Sequence, residues 1–462
     1  MNKRKFIPIN NIVENDLRVW TIAKLLDMDY NLNLRDIINK YAGTENFEAE
    51  YTKELQNQIP DNFCLYPFTH FQLDPDGRAR PCCKYKVGDA DWQADVPKLP
   101  NVNIEQLWNQ EEFKNLRADF LNNKKPSGCK ACWNEEAAGI PSMRLTREKG
   151  GKEHPYATFF NHIPKVSPKT LDLKLSNLCN LKCRICTPFL SSQWIKEVKD
   201  LEIRDMGDIN SFTGNSKEKF SANPDNEKIL KQWAPTIDFL EFYGGEPLMQ
   251  QEHDKILDIM SLYGNPANTS LYYNTNSSIC NENFFKLWKK FKQVVINFSV
   301  DDIEERFEYE RKNAKWQESL ENIEKYRELS NQYGVNMDIR IYTTVGVLNV
   351  FYLKEFFEEI KKLGVKIVLN MVHYPHYYAI TILPDEIKNI IKSKLESIDV
   401  EDMLHPTSPS IQNIINFMFG NNTDLDLLKV FFDKTYKHDK YRGDNFQKTF
   451  TELYNLLKKY ET

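Results

Sequence analysis

Long apolar runs, an export leader and a strong excess of charge are all missing from this 462-residue sequence. No run approaches eighteen apolar residues, so the sequence predicts no membrane-spanning helix. The first residues, MNKRKFIPINNIVEND, are basic but contain no apolar core segment, which argues against a secretory signal. The formal net charge of -5 gives no general reason to expect nucleic-acid binding, although a local basic patch stays open.

Cysteine is scarce, with nine in the chain, yet nearly all of them fall into two groups. The amino-terminal group consists of Cys64, Cys82, Cys83, Cys129 and Cys132, and the second group of Cys179, Cys183 and Cys186. Close spacing in a large chain without an export signal favours metal binding over disulfides and predicts a cytoplasmic protein. Cys280 stands alone and is interpreted as a packed core residue.

The amino-terminal third divides into two parts. Residues 1–60 form a helical segment by their apolar periodicity. Residues 61–150 form a second block with a hairpin in FCLYPFTHFQLDPDGRARPCCKY, an amphipathic helix in NIEQLWNQEEFKNLRADFLNN and a knuckle around GCKACW.

Strand and helix patterns alternate after about residue 165. The strand candidates are residues 170–176, 237–243, 270–276, 293–300, 337–345 and 366–372. This alternation predicts an α/β core over residues 165–378, a partial (β/α)6 TIM-like barrel, with an open doubly wound sheet as the alternative. Chemistry in such folds lies at the carboxyl ends of the strands. Residues 379–462 are predicted to be a helical carboxyl-terminal segment.

The C-x3-C-x2-C spacing of the second group follows directly after the first strand of this core. Three thiolates on one tight loop suit three corners of a cubane iron–sulfur cluster and leave one iron open to a ligand. Zinc, the alternative, usually takes paired C-x2-C motifs and four ligands.

This motif in this position resembles the radical S-adenosylmethionine (radical SAM) enzymes, over about residues 165–375. The resemblance implies a [4Fe–4S] cluster on Cys179, Cys183 and Cys186, with the open iron chelated by S-adenosylmethionine. It further implies reductive cleavage of that cofactor to a 5′-deoxyadenosyl radical, which abstracts hydrogen from an unactivated carbon. The protein then binds, orients and shields the reactants.

The same resemblance implies cofactor-binding roles for further residues at the strand ends. The GGEP segment, Gly244, Gly245, Glu246 and Pro247, matches the motif that holds the cofactor's amino group. Other residues that match positions near the cofactor are Asn274, Thr275, Ser299, Asp301, Arg311 and Asn349. Arg311 matches an arginine that pairs with the cofactor carboxylate. His373 and His376 follow the sixth strand, and a substrate role and an ordinary loop role both stay open.

The amino-terminal cysteine block resembles the twitch and SPASM auxiliary-cluster domains of the same enzymes, placed here before the barrel. This implies an auxiliary [4Fe–4S] cluster on Cys64, Cys82, Cys129 and Cys132, with Cys83 as the alternative to Cys82. Spacing alone fits a structural zinc site as well. The auxiliary cluster is expected to transfer electrons, to stabilise the domain or, with an open iron, to bind substrate.

The resemblance makes a peptide, protein or natural-product precursor the expected substrate, and a flavodoxin or ferredoxin the expected reductant. Two rival functions stay open. The first is a radical enzyme acting on a small molecule, or methylating RNA with Cys280 as the candidate acceptor. The second is a binding protein stabilised by two zinc knuckles.

Overall fold

The computed structural model describes residues 62–86, 96–137, 142–146, 167–203, 220–400, 402–420 and 423–461. The helices predicted for residues 1–60 lie outside the described residues. The chain divides into two compact units. The described residues of the first unit are 62–73, 78–86, 96–137, 142–146, 167–172 and 223–238, and the others form the second unit. The domain boundaries expected from the sequence stay predictions.

The elements are numbered along the described chain. The strands are β1 His70–Leu73, β2 Ala79–Arg80, β3 Thr170–Leu173, β4 Lys182–Cys183, β5 Phe239–Phe242, β6 Ser270–Thr275, β7 Gln293–Ser299, β8 Arg311–Lys312, β9 Met337–Val345 and β10 Lys366–Met371. The helices are α1 Tyr66–Thr69, α2 Ile104–Trp108, α3 Glu111–Leu121, α4 Lys130–Ala137, α5 Met143–Thr146, α6 Trp194–Asp200, α7 Asp225–Trp233, α8 Gln251–Tyr263, α9 Glu282–Trp288, α10 Glu304–Glu310, α11 Trp316–Tyr333, α12 Leu353–Ile360, α13 Asp385–Glu396, α14 Ile411–Phe419, α15 Leu425–Arg442, α16 Phe446–Thr449 and α17 Thr451–Leu457.

In the first unit the predicted hairpin is confirmed. β1 and β2 pair antiparallel, with Gln72 opposite Arg80. The connecting DPDG turn closes when Gly77 N donates to Asp74 O at 2.8 Å, and Gly77 takes φ +89°. Glycine is favoured there because a side chain is strained at positive φ.

The predicted single helix after residue 102 is instead two helices, α2 and α3. Asn103 starts α2 with a reciprocal capping box, because its side chain accepts from Gln106 N while the Gln106 side chain accepts from Asn103 N. Asn109 ends α2, and the next residue, Gln110, is extended at ψ 153° before α3 begins. The amphipathic pattern therefore survives across a break that the capping residues impose.

The second unit contains a parallel sheet in the order β5, β6, β7, β9, β10. At its edge Tyr243 N donates to Leu173 O at 3.2 Å. The order follows the chain without the reversal that marks a doubly wound sheet. Each of the six predicted strand segments contains an observed strand. The predicted α/β class with a barrel-like parallel sheet is confirmed.

The sheet is parallel because helices connect its strands and cover them. In β7 the five residues Val294–Phe298 are all buried, the pattern of a strand covered on both faces. The connecting helix α11 ends at Gly334, which takes φ +67° as a left-handed cap. Beyond residue 384 the described chain is mainly helical, from α13 to α17. Within the described chain, no helix combines the length and apolarity required to span a bilayer.

Candidate functional site

The second cysteine group lies in the loop after β3. Cys183 belongs to β4, which pairs antiparallel with β8 so that Cys183 is opposite Arg311. Cys186 N donates to Cys183 O at 3.1 Å. Burial, and then the charge of Cys183, raises the pKa of Cys179 to about 12, and burial followed by both other thiols raises the pKa of Cys186. The structure therefore brings the three predicted thiols into one buried group that favours a strongly cationic occupant.

Nitrogen donors point at two of these sulfurs. Leu181 N lies 3.4 Å and Asn276 Nδ2 lies 3.7 Å from Cys179 Sγ. Arg311 Nη1 lies 3.7 Å from Cys183 Sγ. Such donors stabilise negative charge on sulfur and tune the potential of an iron–sulfur cluster.

The GGEP segment lies against the backbone of the cysteine loop. Glu246 N donates to Leu178 O at 2.7 Å, and Gly245 N donates to Leu190 O at 3.0 Å. Gly244 and Gly245 take φ +69° and +57°. A Cβ added at Gly245 would lie 2.3 Å from Leu178 O, so only glycine allows this approach.

Glu246 is fully buried and connects this segment to the end of β6. Its carboxylate accepts from Thr275 Oγ1 and from Asn276 N, both at 2.8 Å, and from Leu248 N at 3.3 Å. Burial raises the pKa of Glu246 to about 7, although these hydrogen bonds lower it. The carboxylate is therefore a brace between two strand ends.

Two further predicted residues lie on the face of the sheet that Asn276 shares. Asn274 Oδ1 accepts from Asn297 Nδ2 at 3.0 Å, and these residues are partners in the β6–β7 register. Ser299 ends β7, opposite Tyr342. Neither Asn274 nor Ser299 contacts a cysteine through a described hydrogen bond.

Asp301, Arg311 and Asn349 form one buried network. Arg311 Nη2 pairs with Asp301 Oδ2 at 2.7 Å, and Thr344 N donates to Asp301 Oδ1 at 2.8 Å. Asn349 Nδ2 donates to Asp301 O at 3.1 Å, while Asn349 Oδ1 accepts from Gly346 N at 2.9 Å. Arg311 thus links this network to Cys183.

The two predicted loop histidines lie apart from the cysteine loop contacts. His373 and His376 are both exposed. The His373 ring packs against Phe417 with centroids 5.0 Å apart, and the His376 ring packs against Tyr374 at 5.6 Å. Nothing in these contacts assigns either imidazole a chemical role.

In the first unit, four of the five cysteines affect one another. Burial and the charges of Cys129 and Cys132 raise the pKa of Cys64. Burial raises the pKa of Cys129 to about 12, with further contributions from Cys82 and Cys132. Cys83 is exposed, and its Sγ lies 3.6 Å from Met143 Sδ. Four buried or half-buried thiols thus form one group, and Cys83 beside them is exposed.

The comparison with protein families agrees with these two groups. Residues 173–349 match the radical SAM superfamily, and residues 64–133 match the SPASM iron–sulfur cluster-binding domain. Residues 173–349 are thus a radical SAM domain, and residues 64–133 are a SPASM domain. No curated protein sequence matches it significantly.

Solved structures related to this radical SAM chain are distant. Native anSMEcpe with bound AdoMet is 18% identical, with a TM-score of 0.35, and the match covers 53% of this chain and 63% of that one. SuiB of Streptococcus suis bound to S-adenosylmethionine is 15% identical at a TM-score of 0.29, with 60% of each chain covered. TsrM of Kitasatospora setae, a methyltransferase with cobalamin and a [4Fe–4S] cluster, is 12% identical at 0.26, covering 44% and 41%. The chain thus spans less than two thirds of the first of these proteins.

The radical SAM domain implies a [4Fe–4S] cluster and S-adenosylmethionine, and the SPASM domain implies auxiliary iron–sulfur binding. The residues present fit both groups. The radical SAM domain offers three thiols with N–H donors at the sulfurs, and the SPASM domain offers four mutually close thiols.

Two asparagines lie beside Cys179. Asn276 belongs to the Thr-Asn pair at the end of the third predicted strand, which resembles the family's pair near the cofactor, and its Nδ2 reaches both Cys179 Sγ at 3.7 Å and Asn180 Oδ1 at 2.8 Å. Asn180 is not among the predicted site residues, and it donates to Ser278 Oγ at 2.8 Å. It directly follows Cys179 in the sequence, and that adjacency is the signal that identifies it.

Replacement of Thr275 by valine tests the brace. In the metal-free radical SAM chain, Thr275→Val is expected to lower the free energy of unfolding by about 1.5–3 kcal/mol, because valine keeps the shape but removes a donor to a buried carboxylate. The loss is expected to be larger at pH 8 than at pH 5. Urea unfolding at both pH values measures it.

The sign follows from the raised pKa of Glu246. Stability linked to the Glu246 carboxyl is fully present below its ordinary pKa of 4.5 and is lost as the pH rises through about 7. The ionised carboxylate that forms above this pH depends most on its hydrogen-bond donors, so the loss of the Thr275 hydroxyl costs more there. Thr343→Val is the matched control, because buried Thr343 Oγ1 donates to the neutral Val300 O at 2.8 Å. Equal pH dependence in the two variants would contradict the brace.

Proposed function

We propose that this protein binds S-adenosylmethionine at a [4Fe–4S] cluster held by Cys179, Cys183 and Cys186, and functionalises an unactivated carbon of a peptide or protein. The single observation that carries the proposal is the contact between the cysteine loop and the GGEP segment through Leu178. When bound, the cluster supplies the one electron that cleaves S-adenosylmethionine to the 5′-deoxyadenosyl radical for hydrogen abstraction.

The chain's own contribution is to bind and to orient. The Glu246 carboxylate is occupied by Thr275 and Asn276, so it braces the Gly244–Pro247 segment, and contact with the cofactor's amino group falls to the backbone of that segment. Asn274, Ser299 and Asn349 support the neighbouring strand ends.

Arg311 is the proposed partner of the cofactor carboxylate. Its Nη2 is paired with Asp301 and its Nη1 faces Cys183 Sγ, but its buried Nε has no hydrogen-bond partner among the described residues. A guanidinium with one uncommitted donor suits a carboxylate, and Asp301 fixes the plane of the fork.

Cys64, Cys82, Cys129 and Cys132 are proposed to hold the auxiliary cluster. Support for Cys82 over Cys83 comes from exposure, because Cys82 is half-buried whereas Cys83 is exposed and its Sγ lies 3.6 Å from Met143 Sδ. Burial, and then the charges of Cys83 and Cys64, raise the pKa of Cys82. Four thiolates saturate a cubane, so electron transfer or stabilisation of the domain is favoured over direct substrate binding.

A polar substrate fits the face of the sheet beside this site. Asn274, Asn297 and Arg340 are successive register partners across β6, β7 and β9, so their side chains share one face. Asn297 is fully buried, and its Oδ1 has no hydrogen-bond partner within the described chain. Such an unpaired acceptor suits a peptide N–H, which can reach it only where the side chain becomes accessible.

The rival functions have less support. Burial raises the pKa of the proposed methyl acceptor Cys280 to about 11, which leaves little thiolate at neutral pH. The C-x3-C-x2-C loop offers three thiols where a structural zinc ion takes four ligands, which disfavours the zinc-stabilised binding protein. A flavodoxin or ferredoxin is proposed as reductant, and the closely spaced free thiols fit a reducing, cytoplasmic compartment.

The test is anaerobic reconstitution of the full chain with iron and sulfide, followed by S-adenosylmethionine and a one-electron reductant. Formation of 5′-deoxyadenosine, measured by liquid chromatography and mass spectrometry, is the expected result. Deuterium transfer from a labelled peptide pool into the nucleoside tests the substrate class. Zinc uptake without iron, or iron without any deoxyadenosine, contradicts the proposal.

A further inference from the structure

Two cations, Lys182 and Arg184, flank Cys183, and the contacts of both lead to helix α15. Arg184 is 1% exposed. Its Nη2 pairs with Asp439 and, at 3.0 Å, with Asp444. Its guanidinium carbon lies 4.0 Å from the ring centroid of Tyr309, whose hydroxyl donates to Asp439 Oδ1 at 2.7 Å. A charge between two cysteines is thus neutralised by residues some 255 positions away in the chain.

Lys182, on the other side of Cys183, belongs to a second buried cluster. Its Nζ lies 2.7 Å from Glu197 Oε2. The same carboxylate accepts from Arg442 Nε at 2.9 Å and faces His438 Nδ1 at 2.6 Å. Hydrogen bonds from His438, Arg442 and Lys182 hold the pKa of Glu197 down to about 2 against the opposing effect of burial. Glu197 therefore joins the loop, α6 and α15 as a carboxylate.

The contacts reach the backbone of the loop as well as its side chains. Arg442 Nη1 donates to Lys182 O at 3.0 Å, and Trp194 Nε1 donates to Cys183 O at 3.0 Å. Arg184 N donates to Glu310 O at 2.7 Å. The backbones of Lys182, Cys183 and Arg184 are therefore hydrogen-bonded to α15, to α6 and to the end of α10, respectively.

One face of α15 supplies the contact residues that are distant in sequence from the cysteine loop. His438, Asp439 and Arg442 are all buried. Arg442 lies one helical turn after the adjacent pair His438 and Asp439, so the three residues share a face. Buried ion pairs contribute little net stability compared with apolar packing, but each partner left alone is costly. Charges at this position are therefore poor general stabilisers and good determinants of a single loop conformation.

We propose that α15 positions the cysteine loop, with Asp439 and Arg442 as positioning residues that set the place of the Cys183 thiol. Asp439 acts through Arg184, and Arg442 acts through Lys182 O and Glu197. The inference rests on the proposed function, because it takes Cys183 as a cluster ligand. Helix α15 is then part of the cluster site.

The variants are Asp439→Asn and Arg442→Lys in the full chain. Asp439→Asn removes one of the two carboxylate charges that pair with Arg184 and leaves Asp444 in place. Arg442→Lys keeps the charge but loses the fork that reaches two acceptors. Asp433→Asn is the matched control, because Asp433 is an exposed aspartate of the same helix. Asp439→Glu tests rescue by a conserved charge.

The first readout is hydrogen–deuterium exchange of residues 178–190 in the metal-free chain. We expect about tenfold faster exchange in Asp439→Asn and Arg442→Lys, with exchange of β6 and β7 unchanged, since only local restraints are lost. The second readout is the electron paramagnetic resonance spectrum of the reduced cluster. It is expected to change in both variants and to return toward wild type in Asp439→Glu.

Loop exchange equal to that of Asp433→Asn would overturn the inference. So would faster exchange spread evenly over β6 and β7, which indicates a general stabilising role. If Asp439→Asn does not fold, Arg442→Lys decides by the same two criteria. A wild type that takes up no iron contradicts the proposed function, but the exchange in the metal-free chain still decides whether α15 holds the loop.

Discussion

Replacing Cys179, Cys183 and Cys186 together by alanine is expected to remove about four of roughly eight irons per chain, the content of one cubane out of two. Formation of 5′-deoxyadenosine is expected to fall below detection. The three thiols are the whole ligand set that the loop offers, and the N–H donors of Leu181 and Arg311 lose their sulfur acceptors in the variant. Iron, sulfide and nucleoside assays on anaerobically reconstituted protein measure both effects.

Cys280→Ala is the matched control for this triple variant. Cys280 is a half-buried cysteine of the same unit, outside the loop. It is expected to keep the wild-type iron content and the wild-type rate of nucleoside formation. Undiminished iron in the triple variant, or deoxyadenosine formed without the three thiols, would show that the cluster is held elsewhere.

Gly245→Ala is the second large expected effect. The new Cβ would meet Leu178 O at 2.3 Å, and that carbonyl is fixed by its hydrogen bond from Glu246 N. Positive φ adds about 1–2 kcal/mol for a non-glycine residue, and forced overpacking adds about 1–3 kcal/mol. We expect a loss of about 2–5 kcal/mol in the free energy of unfolding, as the sum of these two costs.

Gly334→Ala separates the two costs. Gly334 takes φ +67°, but a Cβ there meets nothing within 4 Å, so only the backbone cost of about 1–2 kcal/mol applies. Denaturant unfolding gives the stabilities, and equilibrium dialysis with S-adenosylmethionine on reconstituted protein gives the affinities. Gly245→Ala is expected to weaken binding at least tenfold, and Gly334→Ala to leave it unchanged. Equal effects on binding would argue against a role for the GGEP contact.

The close agreement between predicted and observed strands has a local cause. The predicted strands are short segments bounded by turns and rich in apolar residues, and β7 with its five buried residues is the clearest case. The break between α2 and α3 escaped prediction because the apolar periodicity continues through Asn109 and Gln110, and only the side-chain caps divide it. Capping depends on single hydrogen bonds, which a periodic pattern does not record.

The cluster motif was recognisable because its ligands are neighbours in the chain. Cys179, Cys183 and Cys186 lie on one loop, and the GGEP segment directly follows a strand. The proposed choice of Cys82 over Cys83 rests on the fold, since adjacent residues have the same sequence context and here differ in exposure.

The sequence by itself determined the α/β core, the two cysteine groups and the superfamily, because spacing and periodicity are local properties. Only the tertiary structure decided which distant groups surround them. Glu246 is braced by Thr275, Arg311 is fixed by Asp301, and Arg184 is neutralised by Asp439. Those partners are chosen by how the chain folds back on itself, and a buried charge must find its counter-charge wherever the fold places one.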